Sequence, residues 1–116
     1  MKAGFIGLGH LGKAIAGRLV EREHTLIVWN RSAGKAAGLS CSEADSPRAV
    51  AEQTDILFLC LFDSQAVHHV LTGENGILSG DVKGKIIIDV TTNHFAEVAA
   101  FHASCKQAGA YRRGRG

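Results

Sequence analysis

The feature that most constrains this chain is a set of three glycines at fixed spacing near its start, in the run GLGHLG over residues 7–12. A short apolar run, residues 2–6, comes directly before it and predicts a buried strand. Apolar residues at helical spacing follow over residues 10–22. Glycine lowers stability wherever the backbone could have carried a side chain. Three glycines between a strand and a helix therefore indicate a sharp turn in which the main chain has to be free of side chains.

Each glycine has a physical reason if a dinucleotide binds here: one for the tight turn, one for the approach of a diphosphate, one for close helix packing. The phosphates would lie on N–H groups at the positive end of the helix, with His10 and Leu11 as the expected donors. The pattern alone is weak evidence among 14 glycines, and a ligand-free turn is the alternative. The flanking strand and helix favour the dinucleotide. The cofactor contacts predicted in this loop are Gly7, Leu8, Gly9, His10, Leu11 and Gly12, and the His10 side chain is expected to be exposed and without a catalytic role.

Strands and helices alternate along the rest of the chain. Apolar, β-branched runs predict strands, apolar residues three and four apart predict helices, and Ser46-Pro47 indicates a helix start. The predicted strands are residues 2–6, 25–29, 55–61 and 85–90, with a brief one in 40–44; the predicted helices are 10–22, 33–39, 46–53, 63–71 and 93–108. This order predicts an α/β fold, a Rossmann-type doubly wound parallel sheet in three αβα layers.

Composition bears on which partners and which cell compartment are expected for this chain. The 116 residues carry a formal net charge of +2 and 21% charged residues, which gives no argument for nucleic acid or an acidic membrane surface. No apolar run approaches the ~20 residues of a membrane span, and the glycine-interrupted N-terminus does not look like a signal peptide. Cys41, Cys60 and Cys105 fit neither a metal site nor a disulfide framework. We therefore expect a cytoplasmic protein.

The histidines do not predict a metal site. His68 and His69 are adjacent, so on a helix their side chains point about 100° apart and cannot chelate together. We expect one of the two to be buried and the other exposed. His94 and His102 are too far apart along the chain for the usual ligand pair, which is about four residues apart on a helix.

The end of the second predicted strand bears on which dinucleotide is bound. Sites that prefer NAD place an acidic residue there to bind the ribose 2′-hydroxyl. This chain has Asn30, Arg31 and Ser32 instead. The planar guanidinium of Arg31 suits a 2′-phosphate, with hydrogen bonds from Asn30 and Ser32 and added charge from Lys35. NADP is the predicted cofactor and NAD is the alternative; a merely solvated Arg31 is the other interpretation of this segment.

Four ordered motifs resemble one known family. The segments GFIGLGHLGKAIAGRL, VWNRS, DILFLCLFDSQAVHHVL and KIIIDVTTN are similar to those of the β-hydroxyacid dehydrogenases, which include 3-hydroxyisobutyrate dehydrogenase and 6-phosphogluconate dehydrogenase. The resemblance implies a Rossmann domain that binds NAD or NADP. It also implies oxidation of a β-hydroxy acid, or reduction of the matching semialdehyde, as the activity of the family. The Asn-Arg-Ser segment matches the family's NADP-preferring version.

The resemblance implies further site residues at the ends of two later strands. The family's Leu-Pro, which lines the cofactor, matches Leu61 and Phe62, so the loop differs where phenylalanine replaces proline. The family's Asp-Met-Ser-Thr matches residues 89–92, where its serine binds substrate carboxylate and the segment borders the nicotinamide. Thr91 is therefore the expected substrate contact and Thr92 a cofactor contact. From the residues alone, hydroxyls past the end of a parallel strand lie where open α/β sheets bind ligands, and Thr91 or Asn93 can also cap the last helix.

The resemblance also bears on the end of the chain. It divides the chain into an NAD(P)-binding domain, residues 1–111, and a short basic tail, residues 112–116, in a fold C-terminally incomplete relative to the family. In the family a further strand and a helical domain follow, and that domain carries the lysine that transfers the proton. No lysine here replaces it, so we expect no catalytic residue. A frameshift or truncation is our interpretation of the change of pattern after Tyr111.

Three classes of function follow from these features. The first is an NADP-dependent oxidoreductase with a small-molecule β-hydroxy acid or semialdehyde substrate, represented by its cofactor domain. The second is a stand-alone, non-catalytic NADP-binding module. The third, binding of nucleic acid by the tail RRGRG, is disfavoured because five residues give thin support. Exposed apolar surface at an incomplete sheet edge would favour a homodimer.

Overall fold

The alternating pattern folds into one parallel sheet covered by helices, in a computed structural model that describes residues 2–91 and 95–114. The strands are β1 (Lys2–Ile6), β2 (Thr25–Trp29), β3 (Ser42–Glu43), β4 (Ile56–Leu59), β5 (Ile86–Asp89) and β6 (Tyr111–Gly114). The helices are α1 (His10–Glu21), α2 (Pro47–Glu52), α3 (Ser64–Thr72) and α4 (Phe95–Gln107), with a 3₁₀ turn over Ile77–Ser79.

The strand order is β3-β2-β1-β4-β5-β6, and every neighbouring pair is parallel. The chain winds outward from β1 in one direction and then, from β4, in the other. The carboxyl ends of all strands therefore lie along one edge, and the order reverses between β1 and β4. Open α/β sheets bind ligands in the crevice at such a reversal. The predicted doubly wound Rossmann-type fold is confirmed.

Two hydrophobic cores lie on opposite faces of the sheet, because successive strand residues point to opposite sides. Along β1, Phe5 belongs to one buried cluster and Ile6 to the other. Along β2, Val28 packs with Phe5 and Ile27 packs with Ile6. Phe5 also stacks on Phe58 of β4, with ring centroids 5.9 Å apart. Burial on both faces explains why the central strands are apolar throughout.

Local polar side chains fix where two helices begin. Ser46 Oγ accepts a hydrogen bond from the N–H of Ala49 (3.1 Å) before α2, and Pro47 occupies the first helical position. Asp63 Oδ1 accepts from the N–H of Ala66 (2.9 Å) before α3. The helix starts predicted at Ser46 and Asp63 are therefore observed, while the proposed Asn93 cap lies outside the described residues.

Two segments differ from the sequence prediction. The helix predicted over residues 33–39 is wrong: this stretch forms turns, because Gly34 and Gly38 adopt φ of 82° and 87°, which a right-handed helix cannot contain. Residues 112–114, predicted as part of a basic tail, belong to β6. There the N–H of Tyr111 donates to Lys85 O (2.9 Å) and the strand continues in register along β5. The sheet thus gains a sixth strand where the sequence pattern suggested an end.

Candidate functional site

A cleft of about 810 Å³ lies at the carboxyl edge of the sheet, over the reversal between β1 and β4. Its walls come from the glycine loop with the start of α1, the end of β2, the loop from β4 into α3, and the end of β5. The lining residues are Gly7, Gly9, His10, Leu11, Gly12, Trp29, Asn30, Arg31, Ser32, Lys35, Cys60, Leu61, Phe62, Asp63, Gln65, Ala66, His69, Val70, Val90 and Thr91. The structure therefore brings the residues singled out from four separate parts of the sequence into one place.

The three glycines occupy three different environments. Gly7 has φ of 103°, and a Cβ there would lie 2.1 Å from Cys60 O. A Cβ on Gly12 would lie 2.1 Å from Gly7 O, so the helix packs directly on the loop. A Cβ on Gly9 would meet no atom within 4 Å. Gly7 and Gly12 are thus required by the packing of the protein itself, whereas Gly9 leaves space for something outside it.

The first turn of α1 presents its backbone donors to the cleft. Gly9 precedes the helix and supplies no side-chain cap, and the first turn contains no acidic residue. Lys13 N–H is the donor that closes onto Gly9 O (2.8 Å), so the N–H groups of His10 and Leu11 lie ahead of the intrahelical ladder. Unpaired N–H groups at the positive end of a helix dipole form an anion site. The residues present therefore fit a diphosphate.

Asn30 and Leu8 have a structural role that the sequence did not predict. Asn30 Oδ1 accepts from the N–H of Leu8 (2.7 Å), and Asn30 Nδ2 donates to Ser32 O (3.0 Å). Leu8 itself is buried and lies outside the lining of the described cleft. The assignment of Leu8 as a cofactor contact stays a prediction. Asn30 ties the glycine loop to the end of β2, which the sequence did not reveal because the two residues are far apart along the chain.

Two cationic side chains lie at the β2 end of the cleft. Arg31, Ser32 and Lys35 are exposed and line it. No carboxylate follows β2 in this stretch of described chain, since Asn30 stands at the strand end. An anionic group on a ribose bound beside β2 would meet a guanidinium and an ammonium there.

The ends of β4 and β5 form the other half of the cleft. Leu61 N–H donates to Thr91 Oγ1 (2.9 Å), which joins the two strand ends. Thr91 is only 2% exposed, whereas the Phe62 ring is 95% exposed. The hydroxyl of Thr91, predicted as a substrate contact, therefore serves first as an internal acceptor. Thr92, predicted as a cofactor contact, lies outside the described residues.

The structure adds residues that the sequence did not single out. Trp29 and Gln65 line the cleft, as does His69. The prediction of one buried and one exposed histidine is wrong, because His68 and His69 are both exposed. Across residues 2–91 and 95–114, no group of three or more His, Cys, Asp or Glu side chains is placed to hold a metal ion. Within the same ranges, no helix is both long and apolar enough to cross a membrane.

The strand order, the glycine loop and the open start of α1 together define the class of dinucleotide-binding α/β domains. The chain belongs to the family described as the NAD binding domain of 6-phosphogluconate dehydrogenase, whose model it matches over residues 2–112. This membership confirms the resemblance drawn from the four sequence motifs, and with it the binding of a nicotinamide dinucleotide as the property of the family.

Curated relatives match most of this chain but only part of their own length. A protein of Arabidopsis thaliana named "Probable 3-hydroxyisobutyrate dehydrogenase-like 1, mitochondrial" is 38% identical over 111 residues, which cover 90% of this chain and 33% of that protein. The cytokine-like nuclear factor N-PAC of Anopheles gambiae is 35% identical over 94 residues, 78% of this chain and 17% of that protein. The chain thus spans about a third or less of these relatives.

Solved structures show the same fold. Psf3 in complex with NADP+ and 2-OPP superposes with a TM-score of 0.86 at 32% identity, over 95% of this chain and 40% of that one. A reductive aminase from Aspergillus terreus in complex with NADPH4, cyclohexanone and allyl amine gives a TM-score of 0.87 at 28% identity, over 97% and 40% of the two chains.

Proposed function

We propose that this chain binds NADP(H) in the cleft, as the cofactor domain of an oxidoreductase that transfers hydride between NADP(H) and a β-hydroxy acid or the matching semialdehyde. One observation carries the proposal. The open N–H groups at the start of α1 and the cations after β2 face the same cleft, where a dinucleotide would place its diphosphate and its adenosine ribose. The supporting relatives are the 3-hydroxyisobutyrate dehydrogenase-like protein and the structures titled as NADP+ and NADPH complexes.

The preference for NADP over NAD rests on the end of β2. A carboxylate there would accept hydrogen bonds from a ribose 2′-hydroxyl and repel a 2′-phosphate. Asn30 is neutral, and its amide oxygen is already used by Leu8 N–H. Arg31, Ser32 and Lys35 are exposed beside it and offer donors and positive charge to a phosphate. NAD remains the alternative cofactor.

At the other end of the cleft, we propose that Leu61 and Phe62 border the nicotinamide half of the cofactor together with Thr92. Thr91 is proposed to contact substrate. Most of its side chain is buried, so the contact would use the small part of its surface that reaches the cleft. The nicotinamide would donate or accept the hydride when bound. The residues of this chain hold the dinucleotide and shape the space beside it.

A non-catalytic NADP-binding module is the second candidate function. Hydride transfer to or from a carbonyl needs an acid or base within hydrogen-bond reach of the substrate oxygen. Lys35 is the one lysine among the described lining residues, and it lies at the β2 end, away from Leu61 and Thr91. Oxidation of NADPH by a panel of small semialdehydes would support the enzyme; tight binding without turnover would support the module. A cytoplasmic location remains a proposal, and the Arabidopsis relative is named as mitochondrial.

The direct test of the cofactor is a titration that uses the intrinsic fluorescence of Trp29, the single tryptophan, which lines the cleft. We expect NADPH to bind more tightly than NADH. In Arg31→Ala, the dissociation constant for NADPH should rise about 10- to 100-fold through the loss of charged hydrogen bonds, while that for NADH stays within about twofold.

Arg22→Ala is the matched control. It removes the same charge from an exposed side chain at the opposite end of α1, so both affinities should be unchanged. Equal affinity of the native protein for NADPH and NADH would overturn the role of Arg31. Binding of neither nucleotide would overturn the proposed function.

A further inference from the structure

Arg112 is a buried arginine on the last strand, in a segment whose composition suggested a solvated basic end. Its side chain is fully buried, and Arg112 Nη2 donates to Asp89 Oδ2 at 2.7 Å. The guanidinium lies over the ring of Phe101, 5.7 Å from its centroid, and Arg112 Nη1 is 3.2 Å from His102 Nε2. The strand neighbour Arg113 is exposed. The two adjacent arginines therefore have opposite environments.

Hydrogen bonds connect the ion pair of Arg112 and Asp89 to the cleft. The other carboxylate oxygen, Asp89 Oδ1, accepts from the N–H of Thr91 (2.9 Å). Thr91 Oγ1 in turn accepts from the N–H of Leu61 (2.9 Å). Thr91 and Leu61 both line the cleft, at the ends of β5 and β4. Three consecutive hydrogen bonds thus connect Arg112 to the two strand ends that border one half of the site.

Burial makes this connection rigid. A charged carboxylate with no exposed surface is strongly unfavourable unless a cation and N–H donors satisfy it. Both oxygens of Asp89 are engaged, one by the cation and one by the amide of Thr91, so its rotamer is fixed from two sides. Removal of Arg112 would leave the carboxylate buried without its cation. The carboxylate would then turn toward water and release the Thr91 amide.

We infer that Arg112 is a positioning residue for the half of the cleft at the ends of β4 and β5: through Asp89 it holds Thr91, and through Thr91 it holds Leu61, against the nicotinamide half of the cofactor. This inference rests on the proposed function for the identity of the ligand. Arg112 touches no ligand itself. Its effect should be confined to the cleft region next to Leu61 and Thr91, because Arg31 lies after β2, on the other side of β1 and β4.

The test compares two ligands on one variant. Adenosine 2′,5′-bisphosphate carries the adenosine half of NADPH and lacks the nicotinamide. In Arg112→Met, the dissociation constant for NADPH should rise about tenfold, the equivalent of one lost hydrogen bond, while that for adenosine 2′,5′-bisphosphate stays within about twofold. Backbone amide exchange, followed by NMR, should accelerate at Leu61 and Thr91 and stay unchanged at Val28 in the opposite half of the sheet.

Arg113→Met is the control on the same strand and should change none of these quantities. If Arg112→Met does not fold, the double variant Asp89→Asn/Arg112→Met removes both charges together, and it should show the same selective loss of NADPH affinity and amide protection. Equal weakening of both ligands, or unchanged protection at Leu61 and Thr91, would overturn the positioning role. A native protein that fails to bind adenosine 2′,5′-bisphosphate would instead count against the proposed function, while the amide exchange still reports on Arg112.

Discussion

Gly7 and Gly9 are two positions apart, and the same substitution should have opposite effects at them. At Gly9 the backbone has φ of −66°, which any residue adopts, and an added Cβ meets no protein atom within 4 Å. We expect Gly9→Ala to keep or slightly raise the melting temperature and to weaken NADPH binding about tenfold or more, because the methyl group occupies the path of the diphosphate.

Gly7→Ala, in contrast, should destabilise the folded protein. Its φ of 103° and the 2.1 Å approach to Cys60 O leave no room for a side chain. We expect a loss of about 2 kcal/mol or more in the free energy of unfolding, measured by urea titration. A Gly9→Ala protein that unfolds as readily as Gly7→Ala would show that the loop is built for packing alone.

The residues of the loop show what a sequence can and cannot specify. The spacing of the glycines identified the site because each glycine answers a local demand of the main chain. The link from Asn30 to Leu8 was missed, and so was the pair of Asp89 and Arg112, because both join residues that only the fold brings together. Sequence reasoning assigned Asn30 to the ligand, which stays a prediction, and the structure shows that its amide also holds the loop.

At the scale of elements, α4 packs a thiol against the sheet. Burial is the main cause that raises the pKa of the Cys105 thiol, from 9.0 to about 11, with Arg112 lowering it and Asp89 raising it in smaller measure. The unfolded chain therefore releases this proton near pH 9, and the folded protein only near pH 11. The thiol contributes stability below pH 9 that is lost as pH rises toward 11.

We expect the native protein to lose about 2 to 3 kcal/mol more than Cys105→Ala over this range, from the two-unit difference in pKa. The measurement is urea denaturation at several alkaline pH values for both proteins. The comparison isolates the thiol, because every other side chain is the same in both proteins. Parallel pH dependence of the two unfolding free energies would contradict the assignment.

Elements with strong local signals were predicted well, and those that depend on distant partners were not. The starts of α2 and α3 follow from Ser46 and Asp63, whose side chains cap within their own turn. Residues 33–39 have helix-forming alanines and one lysine, but two glycines with positive φ turn the chain instead. Strand β6 forms from polar residues because β5 offers it an edge and Asp89 offers Arg112 a partner, and neither is visible within the segment.

At the scale of the whole molecule, the alternation of apolar strands and helices predicted the fold class, since right-handed crossovers favour a parallel sheet with helices on both faces. Ligand binding should stabilise this entire unit. Saturation with NADPH at about 100 times its dissociation constant adds about 2.7 kcal/mol. For a domain of 116 residues this corresponds to a rise of about 10 °C in melting temperature, measured by calorimetry. NADH at the same molar concentration should give a smaller rise, and equal shifts would argue against a preference for NADP.

Because the strands are parallel, the amino ends of all strands lie together on the side of the sheet opposite the cleft, and this side has a practical use. Turns that precede the strands lie at the amino ends, opposite the cleft, and the exposed side chains of Arg22 and Lys83 belong to the turns before β2 and β5. A linker attached at either position would anchor the domain to a sensor surface with its cleft facing the solution. Nucleotide capture could then be followed on immobilised protein without blocking entry.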